Sequence, residues 1–233
     1  MTVHVLVHGA WSGARGFHLV RPLVRAAGHE VYTPSLTGIG ERVHLTSPQV
    51  DLSTHIHDVV NTILYEDLSG IVLLGFSYGG MVVTGALEHI ADRVRHLVYL
   101  DAFAPDDGQS LLSLSGGGPA PITVGDAWLV PPTPREFEDA DEAEFATPRR
   151  TPHPLRCFTE PVRLRRPLEE HPFTRTYIRA TADAPDAPGA RAFDAAAARA
   201  RTSPAWAYHE IATNHMIPNN RPGELADILL RLD

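Results

Sequence analysis

Residues 71–76 read Ile-Val-Leu-Leu-Gly-Phe, an apolar run with no polar residue at alternate positions. A strand wetted on one face alternates apolar and polar side chains. A strand without alternation is covered on both faces, as in the middle of a parallel sheet between two layers of helix. The run passes directly into Ser77-Tyr78-Gly79-Gly80 and then into Met81, Val82, Val83, Ala86 and Leu87, an apolar helical pattern. Strand, tight turn and helix in so few residues leave little room for anything but an α/β architecture.

The rest of the chain agrees with that frame. Val3 to Val7, Glu30 to Thr33, His96 to Leu100, Arg175 to Ala180 and Trp206 to Ile211 read as further strands, six in all. Between them, Val20, Leu23, Val24 and Ala27 recur at helical spacing, with Gly28 as a stop. Leu52, Ile56, Val59, Val60, Ile63 and Leu64 make a second stripe, with Asp51 or Ser53 as N-cap. Leu225, Ile228, Leu229 and Leu232 make a third, after Pro222.

One stretch interrupts the alternation. From Ala104 to Pro172 the chain is rich in Pro, with Gly116-Gly117-Gly118, Pro131-Pro132 and an acidic run from Glu136 to Glu144. A loop of that length without structure of its own is uncommon, and Trp128, Leu129, Phe137, Phe145, Leu155 and Phe158 offer it apolar anchors. The expected organisation is a core of residues 1–103 and 173–233 carrying an inserted lid, residues 104–172.

Composition removes several chemistries. All 20 basic residues are Arg. Without Lys there is no Schiff base, no lysine-bound pyridoxal phosphate and no P-loop or kinase-type lysine. Cys157 is the single thiol, so intrachain disulfides and multi-cysteine metal centres are excluded, and no metal or cofactor is expected. The net charge of -8 disfavours nucleic acid. No apolar run reaches the roughly 18 to 20 residues of a bilayer span, and the sequence opens directly on its first strand. A soluble cytoplasmic protein, monomer or homodimer, acting on a small molecule is the expectation.

Gly75-Phe76-Ser77-Tyr78-Gly79 is a Gly-x-Ser-x-Gly pattern, and its strand–turn–helix setting makes it a nucleophile elbow. Gly75 and Gly79 keep Cβ atoms out of the close approach between strand and helix. A serine nucleophile needs a base, and His215 lies after the last strand and before the last helix, on the sheet edge that carries Ser77. His4 falls within the first strand, and His55 and His57 lie two apart on a helix, where side chains diverge. Asp183 and Asp101 both end strands on the right edge; Asp183 is favoured as the acid, with Asp101 the alternative. Backbone N–H groups of Tyr78 and Ala10, the latter in His8-Gly9-Ala10-Trp11, are the expected oxyanion hole.

With these segments in this order, the sequence resembles the α/β-hydrolase superfamily. In detail it is similar to the branch of plant methylesterases and hydroxynitrile lyases and their bacterial relatives, including at Thr37-Gly38-Ile39-Gly40-Glu41-Arg42 and Leu100-Asp101-Ala102-Phe103-Ala104-Pro105. The resemblance implies a mostly parallel six-stranded sheet flanked by helices, the inserted lid, a Ser77-His215-Asp183 triad and the oxyanion groups at Ala10 and Tyr78. Trp11, Phe76, Phe103, Trp128 and Met216 are the expected pocket and lid residues. Phe76 stands where His is frequent in the family. Gly9 and Met216 replace the threonine and lysine of one cyanohydrin-lyase mechanism, and Ser77 excludes a carboxylate nucleophile.

The expected activity is hydrolysis of a small, largely apolar carboxylic ester through an acyl-enzyme. A lactonase, cyclase, carbon–carbon hydrolase or lyase on the same triad is the alternative, and a small-ligand receptor is a third.

Overall fold

The computed structural model describes residues 1–116 and 128–232; Gly117 and Gly118 of the glycine run lie outside them. In chain order the elements are β1 (Val3–Val7), α1 (Val20–Ala26), β2 (Glu30–Tyr32), α2 (Leu52–Tyr65), β3 (Ile71–Phe76), α3 (Gly79–Ile90) and β4 (Val94–Leu100). Next come α4 (Leu111–Leu114), β5 (Leu129–Val130), α5 (Ala140–Ala146), β6 (His153–Pro154) and α6 (Arg156–Thr159). The chain closes with β7 (Thr174–Ala180), α7 (Ala190–Thr202), β8 (Ala207–Ile211), α8 (Ile217–Asn220) and α9 (Pro222–Leu230).

Six strands form one sheet in the order β2-β1-β3-β4-β7-β8, and every pairing in it is parallel. The six strands expected from the sequence are these six; β1 and β3 have the expected bounds and the other four differ by one or two residues at an end. All six residues of β3 are buried, as its unbroken apolar run requires. Helices α1 and α9 cover one face through Val20, Val24, Leu225 and Leu229; α2 and α3 cover the other through Val59, Ile63, Val82 and Val83. Asp51 caps α2 with a reciprocal capping box to Thr54.

Helix α7 went unread in the sequence. Its run of Ala192 to Ala200 carries too little apolar bulk for a periodic stripe, yet it buries Phe193, Ala196, Ala197 and Ala200. The inserted stretch holds α4 to α6 and the short antiparallel pair β5 and β6. Its acidic run is partly helical, with Asp139 accepting from the Glu142 N–H at the start of α5.

The consequence for chemistry is that β1, β3, β4 and β7 run side by side in one direction, so their carboxyl ends share an edge. Residues following those ends meet there, as is usual for ligand sites in open parallel sheets.

Candidate active site

Ser77 occupies the left-handed region at φ 56, and such a residue costs about 1–3 kcal/mol unless its surroundings enforce it. Here they do. Its N–H donates to Leu100 O at 3.2 Å, and its carbonyl accepts from Gly80 N at 3.1 Å and Phe103 N at 3.2 Å. The turn is also walled by close approaches, one that only glycine permits and one that is tight for any other residue. A Cβ on Gly79 would stand 2.6 Å from Val7 O, and one on Gly9 would stand 3.0 Å from the Ser77 Cβ.

The Ser77 hydroxyl donates to His215 Nε2 at 2.9 Å, and His215 Nδ1–H donates to Asp101 Oδ2 at 2.6 Å. All three residues are buried. His215 sits on the loop between β8 and α8, held flat between Phe193, stacked at 5.1 Å and 7°, and Phe76 at 4.9 Å. Burial outweighs the neighbouring carboxylates and, with Arg135 nearby, lowers its pKa below the usual histidine value, keeping the imidazole neutral and able to accept a proton.

Asp183, the favoured acid in the sequence, does not make this bond. Its carboxylate lies within 4.8 Å of the acceptor and donor atoms of Asp101 and His215, but the ring nitrogen is taken by Asp101. The reason is strand order. β4 is the immediate neighbour of β3, so Asp101 follows directly after the strand beside the serine. Asp183 stands three residues past the end of β7, one strand further away. Asp101 is also in the left-handed region, at φ 42, with its N–H on Ile178 O at 2.7 Å. Its second oxygen, Oδ1, accepts from Arg179 Nη1 at 2.6 Å and Ala180 N at 3.1 Å. A carboxylate buried to 0% exposure needs these donors, because an unpaired buried charge is far costlier than a paired one.

Arg179 was not singled out in the sequence, and neither was Phe193. The first reads as one more polar residue of a strand; the second lies in the unread helix.

Two cavities of about 490 Å³ each open onto the serine. They share Ala10, Trp11, Ser77 and Arg135. The first also has His215, Phe76, Met216 and Phe137 in its wall, with Arg149 and Arg150. The second is lined by Tyr78, Phe103, Val130, Phe158 and Phe193. Of the residues the sequence offers for a pocket, Trp11, Phe76, Phe103 and Met216 line one or both cavities. Trp128 lines neither cavity; its carbonyl accepts from Leu155 N at 2.8 Å, which ties β5 to β6.

The loop after β1 is clamped by the inserted stretch. Trp11, at φ 59, donates its N–H to His153 Nδ1 at 3.3 Å and its indole N–H to Val130 O at 3.0 Å, and its carbonyl accepts from Thr151 N at 3.2 Å. Behind Tyr78, the ligand atoms of His55, His153 and Cys157 lie within 4.8 Å of one another. His55 is engaged at both nitrogens, by Tyr78 OH at 2.9 Å and Thr37 O at 2.8 Å, and burial raises the Cys157 thiol far above its usual value. Those contacts describe a hydrogen-bonded core. His57 faces solvent on the same helix, bonded to Ser53 O, so it diverges from His55 as its spacing requires.

Comparison with known proteins identifies the family. A model described as the alpha/beta hydrolase family matches residues 5–228. A carbendazim hydrolyzing esterase of Nocardioides sp. (strain SG-4G) is 40% identical over 179 residues, covering 70% of this chain and 74% of that protein. An alpha-hydroxynitrile lyase of Arabidopsis thaliana is 32% identical over 108 residues, covering 44% of this chain and 40% of that protein. Among solved structures, the methylesterase MES16 of Arabidopsis superposes with a TM-score of 0.78 at 24% identity, covering 99% of this chain and 98% of the other. The chain belongs to the alpha/beta hydrolase family, in the branch that contains plant methylesterases, hydroxynitrile lyase and bacterial esterases.

Proposed function

We propose that Ser77, His215 and Asp101 act as a catalytic triad for hydrolysis of a small, largely apolar ester. The observation that carries this reading is the unbroken relay from the Ser77 hydroxyl through His215 to Asp101, at 2.9 and 2.6 Å, opening onto two cavities. The Ser77 oxygen attacks the carbonyl carbon as its proton passes to His215 Nε2. Asp101 holds the Nδ1–H tautomer and stabilises the imidazolium that forms. Negative charge on the carbonyl oxygen is met by the N–H groups of Ala10 and Tyr78. His215 then gives its proton to the departing alcohol oxygen, the acyl-enzyme forms, and a water deprotonated by His215 releases the acid and frees Ser77.

The two cavities divide the substrate. His215 delivers its proton to the leaving oxygen, so the alcohol half lies in the cavity that His215 lines. The acyl half lies against Phe103, Phe158 and Phe193. Residues 104–172 serve as the lid, closing over both and limiting access of bulk water.

Ser77→Ala should abolish labelling by a fluorophosphonate and lower turnover of a short-chain aryl ester by at least about 10³-fold. Absence of both labelling and turnover in the unsubstituted protein would exclude a serine esterase. The relative that hydrolyses carbendazim makes alkyl carbamate esters reasonable compounds to include in the screen.

A further inference from the structure

The cavity that holds His215 has more cations in its wall than it has partners for them. Arg15, Arg135, Arg149 and Arg150 line it, against two carboxylates, Glu41 and Glu142. Glu142 is taken by Arg15 at 3.2 Å and by Asn219 at 2.9 Å; Glu41 accepts from Ala14 N and the Ser35 hydroxyl. Arg149 caps the Phe145 carbonyl at 2.8 Å and lies 3.8 Å over the Phe145 ring. That leaves Arg135 and Arg150. Both are half-buried, and among the described residues neither is in an ion pair. Arg150 spends one N–H on Thr133 O and lies 5.9 Å from the Trp11 ring, beside the serine.

Two half-buried guanidinium groups facing one cavity repel each other, and desolvation adds to the cost. Burial together with Arg135 brings Arg150 down to about 10. Burial also lowers Arg135, against attraction from Asp183 and Asp101. Asp101 is already saturated by His215, Arg179 and Ala180 N, so it has no oxygen to give Arg135. Asp183 attracts Arg135 from a distance, without an ion pair, and in a chain of net charge -8 four guanidinium groups on one cavity wall against two carboxylates is a local feature that general composition does not produce.

We infer that Arg135 and Arg150 form a carboxylate-binding subsite, and that the preferred substrate carries a carboxylate on its alcohol half. The planar fork of each guanidinium suits a carboxylate, and two such groups around one anion give each cation the partner it lacks. Arg135 lies where the cavities join, next to the reacting carbonyl. Arg150 lines the His215 cavity alone, and this places the anion on the leaving-group side. The apolar acyl cavity is unaffected.

This inference rests on the esterase reading for its kinetics, and the test separates the two. Steady-state kcat/KM is measured for 4-carboxyphenyl butanoate and 4-carbamoylphenyl butanoate, which differ in charge at similar size. The carboxylate ester is expected to be preferred by about tenfold or more, although its leaving group is the less activated. Arg150→Gln and Arg135→Gln should each reduce that ratio toward one, with partial return in Arg150→Lys. Separately, the Ser77→Ala protein is titrated by calorimetry with 4-hydroxybenzoate and 4-hydroxybenzamide. Tighter binding of the benzoate supports the subsite even if neither ester is turned over, an outcome that would count against the esterase reading alone. Equal binding of the two, or a preference unchanged in both Gln variants, overturns the subsite. A charge preference found only when the carboxylate is on the acyl half, as in 4-nitrophenyl hemiglutarate, overturns its placement.

Discussion

Asp101 and Asp183 differ by what surrounds them, and that difference can be measured. Asp101 is completely buried, bonded to His215 Nδ1, and supported by Arg179 and Ala180 N; Asp183 is half-buried and makes no bond to the ring. Asp101→Asn should reduce kcat/KM for an aryl ester by about 10³- to 10⁴-fold, since the neutral amide neither stabilises the imidazolium nor enforces the tautomer. Asp183→Asn should stay within about tenfold of the parent, and the comparison of the two variants decides the acid. The pH profile belongs to the same scale. His215 works as its neutral form and its pKa is lowered, so activity should rise with pH through an apparent pKa below 6.5 and then level off. An acid limb centred above that value would contradict the burial argument. That Ser77 and His215 meet was legible in the sequence because each is tied to a local pattern, an elbow and a strand-end loop. Which aspartate reaches the ring was not, because both end strands and only the lateral order of strands separates them.

Among elements, the approach of α3 to the end of β4 carries the serine's geometry. A Cβ on Gly80 would lie 2.0 Å from Phe103 O and 3.0 Å from the Ala102 Cβ, and the first of these is backbone that cannot rotate away. Gly80→Ala should therefore destabilise by about 3 kcal/mol and disturb the turn that holds Ser77, read as a lower midpoint in urea together with lower phosphonate labelling. Gly28, whose Cβ would meet nothing within 4 Å, makes an informative contrast. It sits at φ 88, so the cost of alanine there is backbone strain alone, remote from the site. The six strands of the main sheet and helices α1, α2, α3 and α9 could be read from periodicity. Helix α7 could not, because alanine packs closely without producing an apolar stripe, and with it went Phe193 under the His215 ring.

On the scale of the whole molecule, the core holds several histidines in the neutral form. Burial lowers His8 and His153 and takes His55 and His96 to about 4. An unfolded histidine titrates near 6.5, so below that pH the unfolded chain binds protons that the folded chain refuses, and stability falls as the pH drops toward 4. For His55, a shift from 6.5 to about 4 corresponds to about 3 kcal/mol of stability lost at the bottom of that window. The thermal midpoint should fall steeply between pH 6.5 and 4, and a midpoint flat across that range would contradict it. Inactivation by acid then has two separable parts: reversible protonation of His215 and loss of the fold.

Short-range regularities account for what can be read along the chain. Unalternating apolar strands specify a covered parallel sheet, the Gly-x-Ser-x-Gly pattern specifies a tight turn with a serine at its tip, and the missing lysines exclude amine chemistry. Whatever depends on lateral neighbours comes from how the elements pack. β4 beside β3 brings Asp101, and not Asp183, to the His215 ring, β7 beside β4 brings Arg179 beneath it, and the stretch between β4 and β7 sets Arg135 and Arg150 against the cavity. Periodicity reports which face of an element is buried. It carries no information about which element lies alongside, and the carboxylate that meets His215 and the charged wall of the cavity are both set by that adjacency.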